Sequence, residues 1–146
     1  MTTKISREKH LAHFLLKTEP SDYSFDDMMH EGETVWDGVT NNLALKNIRL
    51  MKAGDDCLIY HSGDDKTIVG IGIVIRHGYP DPKKGDAELT VVDIKASKRL
   101  KRPVPLSSLK GIKDLARFDL IRLPRLSVMP VPDNVWKVLM KISEEK

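Results

Sequence analysis

The sequence predicts an α+β domain: a compact barrel or curled sheet of short strands with helices packed on it. Three observations lead there. Short apolar runs bounded by turn residues outnumber long helical patterns. Two of those runs, "CLIYHS" (57–62) and "IVGIGIVIRH" (68–77), are separated only by the turn-rich "GDDKT", so they read as a hairpin. The regular alternation of strand and helix that a doubly wound parallel sheet needs is absent. With 146 residues and 16.5 kDa, the chain is long enough for one domain with a real core. No repeat, low-complexity tract or linker divides it.

Residues 1–10 read as a loose polar arm, and residues 11–146 as a single domain. "AHFLL" (12–16) is the first strand and Pro20 and Ser21 end it. Ser24 starts a short helix, with Asp27 three residues on completing a capping box and Gly32 closing it. A second helix begins near Asn41. Leu43, Ala44, Ile48 and Met51 form its apolar stripe, widened by Leu45 and Leu50, and Lys46, Asn47, Arg49 and Lys52 fall mostly on the other side. "AGDD" (53–56) stops it, and the hairpin of 57–77 follows. "GYPDPKKGD" reads as a loop and "ELTVVDIKAS" (88–97) as a strand. An extended piece then leads to a short helix near 106–116. "RLSVMPVP" (125–132) is extended, and its prolines suit a sheet edge. Asp133 caps a last helix with Val135, Val138, Leu139 and Ile142 on one face.

Composition narrows the function classes. Hydrophobic residues make up 40% and charged residues 31%, an ordinary soluble balance, and no apolar run approaches a membrane span. "MTTKISREKH" lacks the apolar middle of a signal peptide. The single cysteine, Cys57, excludes an internal disulfide and fits a reducing compartment, so a cytoplasmic location is expected; separately, a monomer is expected. The net charge of +3 and pI of about 8.9 permit an anionic partner without demanding one.

Catalytic and metal patterns are weak. Cys57 and His61 share a strand face, but four residues of strand span ~13 Å, far beyond the ~3 Å of a thiol–imidazole hydrogen bond. Ser62 faces away from His61. His10 and His13 are the only close histidine pair, and no zinc spacing occurs, so neither a metal nor a cofactor is expected. Gly70 and Gly72 share one strand face, opposite Val69, Ile71, Ile73 and Ile75. The isoleucine face reads as core, and the bare glycine face admits a close neighbour, a helix in preference to a ligand. "KASKRLKR" (95–102) holds five basic residues in eight, which reads first as a solvated face or loop and second as a nucleic-acid contact.

"TVWDGVTNNLALKNIRLM" (34–51) is more suggestive. Trp36 precedes a tight Asp37-Gly38 turn, and Asn41 stands where the helix starts, beside free backbone N–H groups. A flat apolar face next to a fork of amide donors and acceptors suits a planar heterocycle. Equally, Trp36 plugs the barrel end and Asn41 merely caps.

Taken in order along nearly the whole chain, these motifs resemble the EVE domain family, a branch of the PUA-like folds related to YTH and ASCH domains. The resemblance is carried by "FLLKTEPSDYSFDDM", "WDGVTNNLALKNIRLMKAGD", "CLIYHSGDDKTIVGIGIV", "VVDIKA", "RPVPLSSLK" and "RLSVMPVPDNVW". It implies a PUA-like mixed β pseudo-barrel with flanking helices. It also implies a pocket that accepts one flipped, often modified, base of DNA or RNA, and a reader, not a catalyst. Carried over by position, the pocket would be built from Lys17, Thr18, Glu19, Trp36, Asn41, Tyr60, His61 and Ser62, with Arg125 and Ser127 lining or supporting it. Trp36 would be a stacking wall and Asn41 an edge reader. From the basic run itself, not from the resemblance, Lys98, Arg99, Lys101 and Arg102 are expected to contact the nucleic-acid backbone. Thr40 and Asn42 depart from the family, which usually has an arginine before the asparagine and a bulky residue after it; Leu89 or a neighbour replaces a frequent tryptophan. Two other functions stay open: a binder of a free nucleobase, nucleoside or other small anionic ligand, and an enzyme whose acid–base pair would be Glu19 and His61.

Overall fold

A computed structural model describes residues 12–144; the expected arm (1–10), with His10, lies outside them. Strand β1 (His13–Thr18) leads to helix α1 (Phe25–Glu31), β2 (Glu33–Trp36) and α2 (Asn42–Arg49). Then come β3 (Asp56–His61) and two long strands, β4 (Thr67–Asp81) and β5 (Asp86–Pro105). Two short helices, α3 (Leu106–Leu109) and α4 (Asp119–Arg122), flank a 3-10 turn at Lys113–Leu115. Strand β6 (Val128–Pro130) and helix α5 (Asp133–Glu144) complete the order. The strands form one mixed sheet, ordered β2-β5-β4-β3-β1-β6, in which only β1 and β3 pair in parallel. The α+β class holds, and β6 is an edge strand as its prolines require.

Helix α2 ties the sheet's last strand back to β5. Asn47 Nδ2 donates to the Val128 carbonyl of β6 at 2.7 Å, while Arg49 donates to Thr90 Oγ1 at 3.1 Å and to the Glu88 carbonyl at 2.7 Å on β5. Asn47 was expected on the polar side; it is 6% exposed, because an edge-strand carbonyl turned inward needs a donor there. Leu43 and Leu50, expected in the stripe, are 43% and 55% exposed. Ala44, Leu45, Ile48 and Met51 carry the packing.

Helix α1 forms as the local chemistry dictates. Ser24 Oγ accepts from the Asp27 amide at 3.1 Å, and an Asp27 carboxylate oxygen accepts from the Ser24 amide at 2.9 Å. Gly32 ends the helix at φ +84°, a conformation that favours glycine. The glycine face of β4 receives α1: a Cβ on Gly70 would fall 2.3 Å from the Phe25 ring, and one on Gly72 3.0 Å from Met28 Cε. The expected isoleucine core is only half right. Ile71 is buried, but Val69 and Ile73 are half-buried and Ile75 is 38% exposed. Bulges along β4 break the strict alternation, and Ile68 and Val74 are buried on it instead.

Other boundaries moved for non-local reasons. The expected 78–86 loop shrinks to a turn at residues 82–85, because β4 runs on to Asp81 against β5. β3 pairing has ended by Ile73, so Pro80 costs no hydrogen bond on that side. The basic run 95–102 is the solvated face of a strand, the first of its two expected readings, with its charged side chains exposed. β2 was not expected at all, and it pairs with β5 at Trp36–Val92. Asp133 is the first residue of α5 and not its cap.

Candidate functional site

A cavity of about 850 Å³ opens where the ends of β1 and β2 meet the loop that enters α2. Its walls come from Lys17 and Thr18 at the end of β1, from Thr34, Val35 and Trp36 of β2, and from the loop 37–41. Tyr23 and Glu31 close it from the α1 side, Asp93 from β5, Lys83 from the β4–β5 turn and Ser127 from the approach to β6.

Local chemistry fixes these groups. Asn41 Oδ1 accepts from the Ala44 amide at 3.0 Å, so this oxygen is spent on capping α2, one of the two roles the sequence left open. Among the described residues its Nδ2 has no protein partner. Trp36 is 7% exposed and meets Tyr23 edge-on at 6.5 Å. It is core and cavity wall together, so the two sequence readings of Trp36 merge. Tyr23 donates its hydroxyl to Glu31, and burial with that carboxylate pushes the phenol up to about 12. Thr18 Oγ1 donates to the Tyr23 carbonyl at 2.7 Å, tying β1 to the start of α1. Lys17 Nζ donates to the Pro124 carbonyl at 2.7 Å and lies 5.5 Å over the Tyr60 ring; burial lowers its pKa. Tyr79 donates to Asp93, which orients that carboxylate. Four carboxylates (Glu31, Glu33, Asp37, Asp93) face two ammonium groups (Lys17, Lys83), so the lining offers mainly acceptors.

Of the residues singled out from the sequence, Lys17, Thr18, Trp36, Asn41 and Ser127 are brought together here. Glu19, Tyr60, His61, Ser62 and Arg125 do not line the cavity. The Glu19 carboxylate accepts from the Ser21 amide at 3.1 Å and hydroxyl at 3.2 Å, and it lies against Gly63. His61 Nε2 accepts from the Phe25 amide at 3.0 Å, satisfying a free N–H at the start of α1, which leaves the ring proton on Nδ1, 3.3 Å from Asp65. Each is thus held by partners of its own. Tyr60 is buried under Lys17, and the Ser62 amide donates to the Thr18 carbonyl at 2.9 Å. Cys57 is fully buried, and burial pushes its thiol up, away from a reactive thiolate. His13 stacks on Trp136 at 3.9 Å between Asp56 and Asp133.

Lys98, Arg99, Lys101 and Arg102 are not at the cavity either. Trp36 pairs with Val92. At the other end of β2, cavity-lining Glu33 pairs with Lys95, so the basic run starts beside the cavity's edge without lining it. Arg99 pairs with Asp26 instead. Sequence reasoning missed Tyr23, Glu31, Asp93 and Lys83 as cavity residues. Tyr23 and Asp93 stood inside motifs already singled out; Lys83 and Glu31 gave no signal.

Residues 12–142 match the model of the EVE domain. A solved structure from Rhodopseudomonas palustris is similar with a TM-score of 0.87 and 40% identity, covering 93% of this chain and 97% of that one. Thymocyte nuclear protein 1 from Homo sapiens is 25% identical over 169 residues, 92% of this chain and 75% of that protein. The human protein crystallised with DNA containing 5-methylcytosine is similar with a TM-score of 0.84 and 25% identity, covering 92% of this chain and 99% of that one.

Proposed function

Because the chain belongs to the EVE domain family, we propose that it is a non-enzymatic reader that takes one modified base of a nucleic-acid strand into the cavity beside Trp36 and Asn41. The observation that carries this reading is the wall itself: an aromatic edge, a free amide donor and several oriented acceptors around a space of about 850 Å³. Such a wall suits a flat heterocycle that presents N–H groups. A small anion is disfavoured, because four carboxylates outnumber two lysines. The human relative's crystals with 5-methylcytosine DNA make such DNA the first ligand to try. Support for the absence of catalysis is the engagement of His61 Nε2 and Glu19 with structural partners and the burial of Cys57.

Fluorescence anisotropy with short oligonucleotides tests the reading. DNA and RNA carrying 5-methylcytosine or other modified bases are compared with plain strands at two salt concentrations. Modified strands are expected to bind more tightly, and affinity to fall steeply with salt. Equal binding of plain and modified strands would sink the base-reader reading. Salt-insensitive binding of the free nucleoside alone would favour the free-base binder. A change of oligonucleotide mass on incubation would make this an enzyme.

Asn41→Ser separates capping from reading. Serine caps a helix about as well as asparagine, so melting is expected to stay within ~0.5 kcal/mol of the parent. The Nδ2 donor is gone, so modified-base binding is expected to weaken by about tenfold. Parental affinity would mean that Asn41 only caps α2.

A further inference from the structure

A second depression, about 370 Å³, adjoins the cavity and shares Asn41 with it. Its floor is Leu43, Leu123, Pro124 and Leu126, and its rim carries Arg122 and Arg125. Arg122 pairs with Asp119 at 2.7 Å, while among the described residues Arg125 has no ion-pair partner. Leu43, excluded from the α2 packing, is 43% exposed here. The segment is braced: Lys17 Nζ holds the Pro124 carbonyl, and the Lys17 amide donates to the Ser127 carbonyl at 2.9 Å.

We propose that this groove is a second nucleotide site, holding the nucleotide next to the captured base, with its phosphate on Arg125 and its base or sugar on Leu43 and Pro124. The inference rests on the base-reader function. Its own support is continuity with the cavity through Asn41, and an apolar floor edged by exposed guanidinium groups, the combination a single strand needs. It also supplies positive charge beside a cavity whose carboxylates outnumber its lysines. The phosphate of that neighbouring nucleotide therefore lies along the approach to β6.

The test measures two ligands on each protein: a short single-stranded oligonucleotide with one central 5-methylcytosine, and the 5-methylcytosine nucleoside. In Arg125→Gln the ratio of oligonucleotide to nucleoside affinity is expected to fall about tenfold, and the logarithmic salt slope to flatten by ~0.7, one phosphate contact. Leu43→Ser is expected to lower the same ratio with the slope unchanged. An unchanged ratio in both Arg125→Gln and Leu43→Ser overturns the groove, as does a loss shared equally by the two ligands. Oligonucleotide binding no tighter than nucleoside binding in the parent also overturns it and spares the cavity. Failure of both ligands to bind the parent removes the base-reader function and the groove with it.

Discussion

Replacing Trp36 by alanine is expected to cost about 3–5 kcal/mol of stability and to weaken modified-oligonucleotide binding at least 10-fold. As a pure stacking wall, Trp36 would cost binding alone when removed, with the fold intact. The 7% exposure changes that expectation, since a mostly covered indole is a packing group first. Its removal also frees Tyr23, which meets it edge-on and holds Glu31 at the cavity rim. Domains have about 5–15 kcal/mol to lose, so the alanine variant is expected to stay folded near 10 °C with a much reduced melting temperature. Trp36→Phe isolates the ligand contribution, because it keeps an aromatic ring in the core. That variant should recover most of the stability and only part of the binding. Thermal melts beside anisotropy titrations read both. Parental binding by a folded Trp36→Ala protein would remove Trp36 from the ligand wall.

What was legible in the sequence was what adjacent residues decide. The Ser24–Asp27 box, the Asn41 cap and the Gly70–Gly72 landing face each rest on residues close in sequence, and each lies where expected. The illegible parts depend on partners far along the chain. Asn47 is buried because of Val128, and β2 exists because residues 33–36 meet residues 92–95. Nothing near Glu33 announces that pairing. The candidate site divides in the same way. A motif marks residues that must stay together, and it does not tell a wall from the brace behind it. Lys17 and Thr18 line the cavity, whereas Glu19 turns to Ser21 and Gly63. The segment Tyr60–His61–Ser62 supports the wall from outside its lining: Tyr60 under Lys17, His61 on the first turn of α1, Ser62 on the end of β1. The densest basic run is conspicuous in sequence but does not line the cavity, whereas the isolated Lys83 does and Arg125 lines the adjoining depression.

Gly70→Ala is expected to destabilise the fold by about 3 kcal/mol, the upper range of overpacking, and to lower the melting temperature by roughly 10 °C. Two effects compete. Alanine restricts the unfolded chain more than glycine does and would stabilise a strand by ~0.5–1 kcal/mol. Against this, the added methyl would fall 2.3, 2.4 and 2.6 Å from three ring carbons of Phe25. Phe25 is 1% exposed, and its amide is held by His61, so neither ring nor helix start yields easily. The steric cost therefore wins, and α1 must lift away from β4. Because Tyr23 and Glu31 reach the cavity from the two ends of α1, modified-base binding should fall as well. Phe25→Leu supplies the control: it opens a void in the parent but relieves the clash with the added methyl. In the Gly70→Ala background it is expected to cost at least ~1 kcal/mol less than alone, the coupling of groups in direct contact. A Gly70→Ala protein that melts within ~2 °C of the parent, with no coupling to Phe25, would show that α1 does not need a bare strand face to dock.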